Sequence, residues 1–179
     1  LHTVDVVNYT IMIIGIGGVS RAGKTTLANQ ITKWMPSTQT MVLRQDLFVL
    51  NTSDFPAIQN VPDWEVPQSL NLPVLLKAIH NAMKHNELVI VEGIFAFAFE
   101  EINSLYQGAI FIEIDEPVFR SRKVLDDRWG PEPEWYLNHI WQSYLKYGQV
   151  PKSLTNVLHV SGIKPFEKDV ITNYIQLLK

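Results

Sequence analysis

Apolar residues along this chain fall into two rhythms. Ile11–Ile16 and Leu88–Val91 are short apolar runs, and Ala109–Ile114 is a third interrupted by Glu113, the pattern of strands buried on both faces of a parallel sheet. Met41-Val-Leu-Arg44 is a shorter extended run that ends at Gln45-Asp46, and Asn156–Val160 supplies a fifth strand. Between them the spacing turns helical. Leu27, Ile31 and Met35 lie four residues apart with Pro36 as the stop. Leu72–Met83 places Leu72, Leu75, Leu76, Ile79 and Met83 along one side. Further helices are predicted from about Pro117 to Asp127, over Glu134–Tyr147 with Gly148 and Pro151 beyond, and over Lys168–Leu178. Asn51–Pro73 is rich in Asn, Ser, Asp and Pro and reads as an irregular loop. Strands alternating with helices predict an α/β fold, one domain over 1–179, with a parallel five-stranded sheet covered on both faces.

The first strand runs into Gly18-Val19-Ser20-Arg21-Ala22-Gly23-Lys24-Thr25, a complete G-x-x-x-x-G-K-[ST] phosphate-binding loop followed by Thr26. Glycines let the backbone turn its N–H groups inward, and the helix that opens near Lys24 adds the positive end of its dipole. Lys24 supplies a cation for the outer phosphates, and the Thr25 hydroxyl is placed to ligate Mg²⁺. A dinucleotide G-x-G-x-x-G reading fails, because Gly15-Ile-Gly17-Gly-Val is followed by Ser20. The chain is expected to be a P-loop protein that binds phosphate groups.

Composition narrows the chemistry. A net charge of −3 leaves no basic footprint for nucleic acid or an anionic membrane, so small molecules are the expected partners. With no cysteine there is no thiolate chemistry, and carboxylates, lysine and hydroxyls must do the work. No apolar run approaches the roughly 20 residues that span a bilayer. The opening LHTVDVVNYT, with Asp5, resembles neither a signal nor a transit peptide. A cytoplasmic location, with the nucleus as a second one, is the expectation.

In doubly wound sheets ligands sit beyond the carboxyl ends of the strands. The phosphate loop, Asp46, Glu92 and the Ser161-Gly162 segment all fall there. Glu92 is a candidate to hold the water shell of Mg²⁺, or merely an acid that ends a strand. Asp46 is a candidate base for an acceptor hydroxyl, or a helix cap. Trp64 either covers core or stacks on a flat base while Glu65 accepts two ribose hydroxyls. Arg120, Arg122, Lys123 and Arg128 are either a solvated helix face or a lid that neutralises a transferring phosphoryl group. His80, His85, His139 and His159 lack metal-site spacing, so structural roles are expected. The stripe Trp135, Ile140, Trp141, Tyr144, Leu145 and Tyr147 reads as packing.

Together these stretches resemble the nicotinamide riboside kinases, relatives of the uridine kinases. The resemblance runs from about Met12 to Gln149. It is carried by GIGGVSRAGKTTLA, Arg44-Gln45-Asp46-Leu-Phe48, Trp64-Glu65-Val66, LVIVEGIFAF, and His139-Ile-Trp141 with Tyr144-Leu-Lys-Tyr147. It implies a nucleoside-kinase-type P-loop fold with a small lid at about 117–135 and an acceptor-site loop at about 47–70. It also implies ATP- and Mg²⁺-dependent phosphorylation of a riboside 5′-hydroxyl, giving nicotinamide mononucleotide in NAD salvage. On that resemblance Asp46 is the catalytic carboxylate, acting with Lys24. Trp64 and Glu65 match a Tyr-Asp pair that sandwiches the pyridine ring and holds the ribose diol. Glu92 is the metal-associated acid beside Thr25, and Arg128 is a lid arginine. The sequence departs from the pattern at Leu47, which replaces a second acid, and at Trp64-Glu65 itself. Two alternatives stand beside this reading. One is a uridine/cytidine or other small-metabolite kinase. The other is a nucleotide-binding regulatory module, which would have no use for Asp46 and Trp64-Glu65.

Overall fold

The structure is a computed structural model that describes residues 11–126 and 130–178. The chain opens with strand β1 (Met12–Gly17), helix α1 (Lys24–Trp34) and strand β2 (Thr40–Arg44). A short hairpin, β3 (Ala57–Ile58) and β4 (Val61–Pro62), precedes helix α2 (Leu72–Ala82) and strand β5 (Leu88–Glu92). Next come a single helical turn α3 (Glu100–Asn103), strand β6 (Gly108–Glu113), and helices α4 (Glu116–Val124) and α5 (Glu134–Tyr147). Strand β7 (Val157–Ser161) and helix α6 (Lys168–Leu177) close the fold.

β2, β5, β1, β6 and β7 form one five-stranded sheet in that order, every pairing parallel. Its three central strands are almost wholly buried, as their largely apolar sequences require. Side chains alternate across a strand, so neighbours on β6 serve opposite layers. Phe111 stacks on Tyr144 of α5, with ring centroids 6.4 Å apart. On the other face Gly108 leaves room for Tyr174 of α6, whose hydroxyl lies within hydrogen-bond distance of the Asn156 and Ala109 carbonyls, at 2.8 and 3.0 Å. Helices therefore cover both faces.

Asn51–Pro73 is more ordered than its composition predicts. Gln59 and Asn60 both take left-handed backbone (φ 47° and 65°), the turn that lets two antiparallel strands meet across two residues. Asn71 then caps α2 by accepting from the Val74 N–H. The aromatic stripe of α5 does pack: Trp141 stacks on Phe119 of α4, and Ile140 and Tyr144 are buried. Leu145, expected in that stripe, stays exposed. No helix among the described residues is long and apolar enough to cross a membrane.

Candidate active site

The sheet sets the site by delivering strand ends to one edge. β1 runs out at the phosphate loop, where Gly18 (φ 143°), Arg21 (φ 65°) and Gly23 (φ 109°) reverse the chain. A side chain at Gly18 would strike the Ile112 carbonyl of the neighbouring strand, so glycine there is a steric demand as well as a conformational one. α1 then starts at Lys24 with no side-chain cap, which leaves its first-turn N–H groups to an anion.

Lys24 is buried, and its Nζ donates to the Val19 carbonyl at 2.8 Å. Burial lowers its pKa from 10.5 to about 8, against the pull of Glu92, Glu65 and Asp46. The Thr25 hydroxyl donates to Glu92 Oε1 at 2.6 Å. Glu92 is the last residue of β5, in register with Ile16 of β1 and Arg44 of β2. Gly93 follows it because buried Gln45 fills the place a side chain would take. Gln45 in turn donates to the Phe95 carbonyl, which ties the turn at Gln45–Leu47 to the end of β5.

That turn presents Asp46, whose Oδ2 accepts from Arg44 Nη2 at 2.7 Å. Across the cleft, buried Asp63 anchors the Trp64-Glu65 pair. Its Oδ1 accepts the Glu65 N–H at 2.9 Å and lies 2.8 Å from His139 Nε2 on α5. Trp64 does not cover core. It remains 41% exposed, edge-on to Phe55 at 4.6 Å between ring centroids.

Lys24, Thr25, Asp46, Trp64, Glu65 and Glu92 all line one cleft of about 690 Å³, joined by Ser20 and Arg21 of the phosphate loop. The Glu65 carboxyl is enclosed by its walls, and burial raises its pKa from 4.5 to about 7. Lys123 and His139 oppose that rise while Glu132 and Asp63 add to it. Tyr136 points its hydroxyl at Glu65; burial and then the Glu65 charge push that hydroxyl's pKa up.

The basic cluster divides. Arg120 is occupied by Glu116, Glu134 and Asn138, joining α4 to α5 on the outside. Arg122 donates to the carbonyls of Arg21 and Gly162 and so braces the phosphate loop. Lys123 alone of these three lines the cleft, paired with Glu132 at 2.8 Å. Arg128 lies outside the described residues. His80 and His159 bond the Leu76 carbonyl and Glu113, and no group of three potential metal ligands occurs among the described residues.

Arg44, Glu132 and Tyr136 also line the cleft, and sequence reasoning gave none of them a role. Arg44 was visible as a charge closing a strand. Tyr136 hid among the aromatics of α5, one helical turn before Ile140. Glu132 carries no signal beyond its charge.

The fold is that of the P-loop kinases. A shikimate kinase from Bacteroides thetaiotaomicron superposes with a TM-score of 0.59 at 16% identity, over 93% of this chain and 96% of that one. In sequence the chain is similar to nicotinamide riboside kinase 1 of Homo sapiens, 26% identical over 93% of this chain and 92% of the relative. It is also similar to a uridine kinase of Deinococcus deserti, 25% identical over 89% of this chain and 86% of that protein. No family model matches the chain. Similarity to kinases over most of the length supports an ATP-dependent phosphotransferase acting on a nucleoside.

Proposed function

We propose that this chain phosphorylates the 5′-hydroxyl of nicotinamide riboside with ATP, giving nicotinamide mononucleotide and ADP. The observation that carries the reading is that the phosphate loop, Asp46 and the Trp64-Glu65 pair share one cleft.

Backbone N–H groups from Gly18 to Thr26 hold the phosphates of ATP, with Ser20, Arg21, Ala22 and Val19 shaping the loop between Gly18 and Gly23. Lys24 exchanges the Val19 carbonyl for a phosphate oxygen. The paired oxygens of Thr25 and Glu92 fit Mg²⁺, a hard cation that takes one or two protein ligands and keeps several waters. When bound there, Mg²⁺ supplies charge neutralisation for the phosphates.

At the acceptor end the exposed Trp64 face stacks on the pyridinium ring. A cation over Trp is worth about 0.5–2 kcal/mol, and a neutral base gains none of that term. Glu65 accepts the ribose hydroxyls. The 5′-oxygen then attacks the γ-phosphorus, the bond to the bridging oxygen breaks, ADP leaves with the electron pair, and the proton passes to Asp46.

The similarity to a uridine kinase favours uridine as a second reading. Uridine is neutral and needs partners at its base edge. Incubating the purified protein with Mg²⁺-ATP and nicotinamide riboside tests the proposal. Nicotinamide mononucleotide detected by mass, with stoichiometric ADP, is the expected result. ADP without a phosphorylated riboside overturns it.

A further inference from the structure

The lid helix commits its described basic residues elsewhere. Arg120 bridges to α5, Arg122 braces backbone carbonyls, and Lys123 is paired with Glu132. A cation nonetheless stands where phosphoryl donor and acceptor must meet, and it comes from the sheet. Arg44 is the last residue of β2, directly opposite Glu92 on β5. Parallel register therefore holds its guanidinium level with the Glu92 carboxylate at the sheet edge, and Arg44 lines the same cleft.

The guanidinium spans both halves of the site. Nη2 donates to Asp46 Oδ2 at 2.7 Å, and Nε lies 3.7 Å from Glu92 Oε1. That second distance is too long for a hydrogen bond, and Nε is buried with no other acceptor. A guanidinium carries five N–H donors in a rigid planar fork, so one edge can hold a carboxylate while another faces a second oxyanion. The Arg44 side chain is 41% exposed where it lines the cleft, so guanidinium N–H groups beyond the one held by Asp46 are placed for an oxygen of the transferring group.

We infer that Arg44 is a phosphate-facing cation of the transfer centre, supplied in cis by the end of β2, which grips Asp46 and the γ-phosphoryl group together. This rests on the kinase reading above. The transfer passes through a loose transition state in which charge spreads over the equatorial oxygens of phosphorus, so fixed cations and alignment do most of the work. As the acceptor oxygen bonds to phosphorus and the bridging oxygen departs with ADP, Arg44 faces that equatorial charge. Its bond to Asp46 keeps the proton acceptor in line with the attacking hydroxyl. The competing idea is that Arg44 only balances the charges of Asp46 and Glu92.

Arg44→Ala, Arg44→Gln and Arg44→Lys separate the two. Glutamine keeps a donor for Asp46 without charge, and lysine keeps charge without the fork. Binding of Mg²⁺-ADP and of Mg²⁺-ADP with aluminium fluoride, which mimics the transferring phosphoryl group, needs no riboside. It therefore reads Arg44 even if the acceptor has been misassigned. Arg44→Ala and Arg44→Gln should bind ADP as the parent does, which also verifies folding. They should lose affinity selectively for the aluminium fluoride complex, and kcat on the riboside should fall about 10²–10³-fold, the scale for one oxyanion donor. Arg44→Lys should recover only part. Equal binding of ADP and its aluminium fluoride complex relative to the parent, or a kcat near the parent's in Arg44→Gln, overturns the inference. If Arg44→Ala does not fold, Arg44→Gln decides alone.

Discussion

The two ends of the cleft are built on different principles. The donor end is local: one strand, one glycine-rich turn and one helix start, Met12 to Trp34, with Lys24 already bonded to the Val19 carbonyl. The acceptor end is assembled from distant segments. Asp46 comes from a turn after β2, Trp64 and Glu65 from a hairpin-bearing loop, and Tyr136 and His139 from α5. It is held by side-chain bonds such as Asp63 to His139, across 76 positions of sequence. A local motif supplies binding of a common group, phosphate. In the proposed reading, long-range contacts select what receives it.

Substitutions can pull the two ends apart. The largest effect is expected at Asp46. Asp46→Asn should lower kcat by about 10²-fold or more, the scale of general-base catalysis, while ATP binding measured by titration stays intact. Lys24→Ala should cost about 10²–10³-fold and weaken nucleotide use with any acceptor. Equal losses on nicotinamide riboside and uridine would confirm that it belongs to the donor end.

Glu65 sharpens the contrast through pH. Burial raises the pKa of its carboxyl to about 7, and in the proposed role it would accept the ribose hydroxyls best when ionised. The KM for the riboside should fall as pH rises through that value, with the KM for ATP unmoved by this group. Glu65→Gln should flatten the dependence. The fold responds with the opposite sign: a carboxyl raised from 4.5 to about 7 adds stability at acid pH that is lost as pH rises through 7. A riboside KM independent of pH in the parent would remove Glu65 from the diol site.

The smallest effect tests the scaffold. His139→Ala frees Asp63 from α5 and should raise the riboside KM several-fold, consistent with about 0.5–1.5 kcal/mol for one lost hydrogen bond, since Asp63 keeps the Glu65 N–H. Thermal unfolding should shift down modestly. Equal rises in both KM values would contradict a role confined to the acceptor end.

This contrast also explains what the sequence revealed. The donor end was legible because its chemistry is contiguous: Gly18 to Thr25 is read as one string, and the apolar runs on either side fix strand and helix. The order of elements followed from the same alternation. Trp64 was misleading because a tryptophan in a proline-rich loop reads first as covering core. In the fold it stays exposed, edge-on to Phe55, beside an Asp63 that bonds His139. The β3–β4 hairpin was missed because two-residue strands show no periodicity. Arg44 carried no local pattern either; its meaning comes from the register that sets it against Glu92.

The most direct measurement is competition in one tube, with purified protein, Mg²⁺-ATP, and nicotinamide riboside and uridine at equal concentration, both products quantified by mass. At equal concentration the product ratio gives the ratio of kcat/KM. The account predicts a large excess of nicotinamide mononucleotide, reduced in Trp64→Ala. An excess of uridine monophosphate would contradict it, leaving the donor end as described and the acceptor end built for a neutral base.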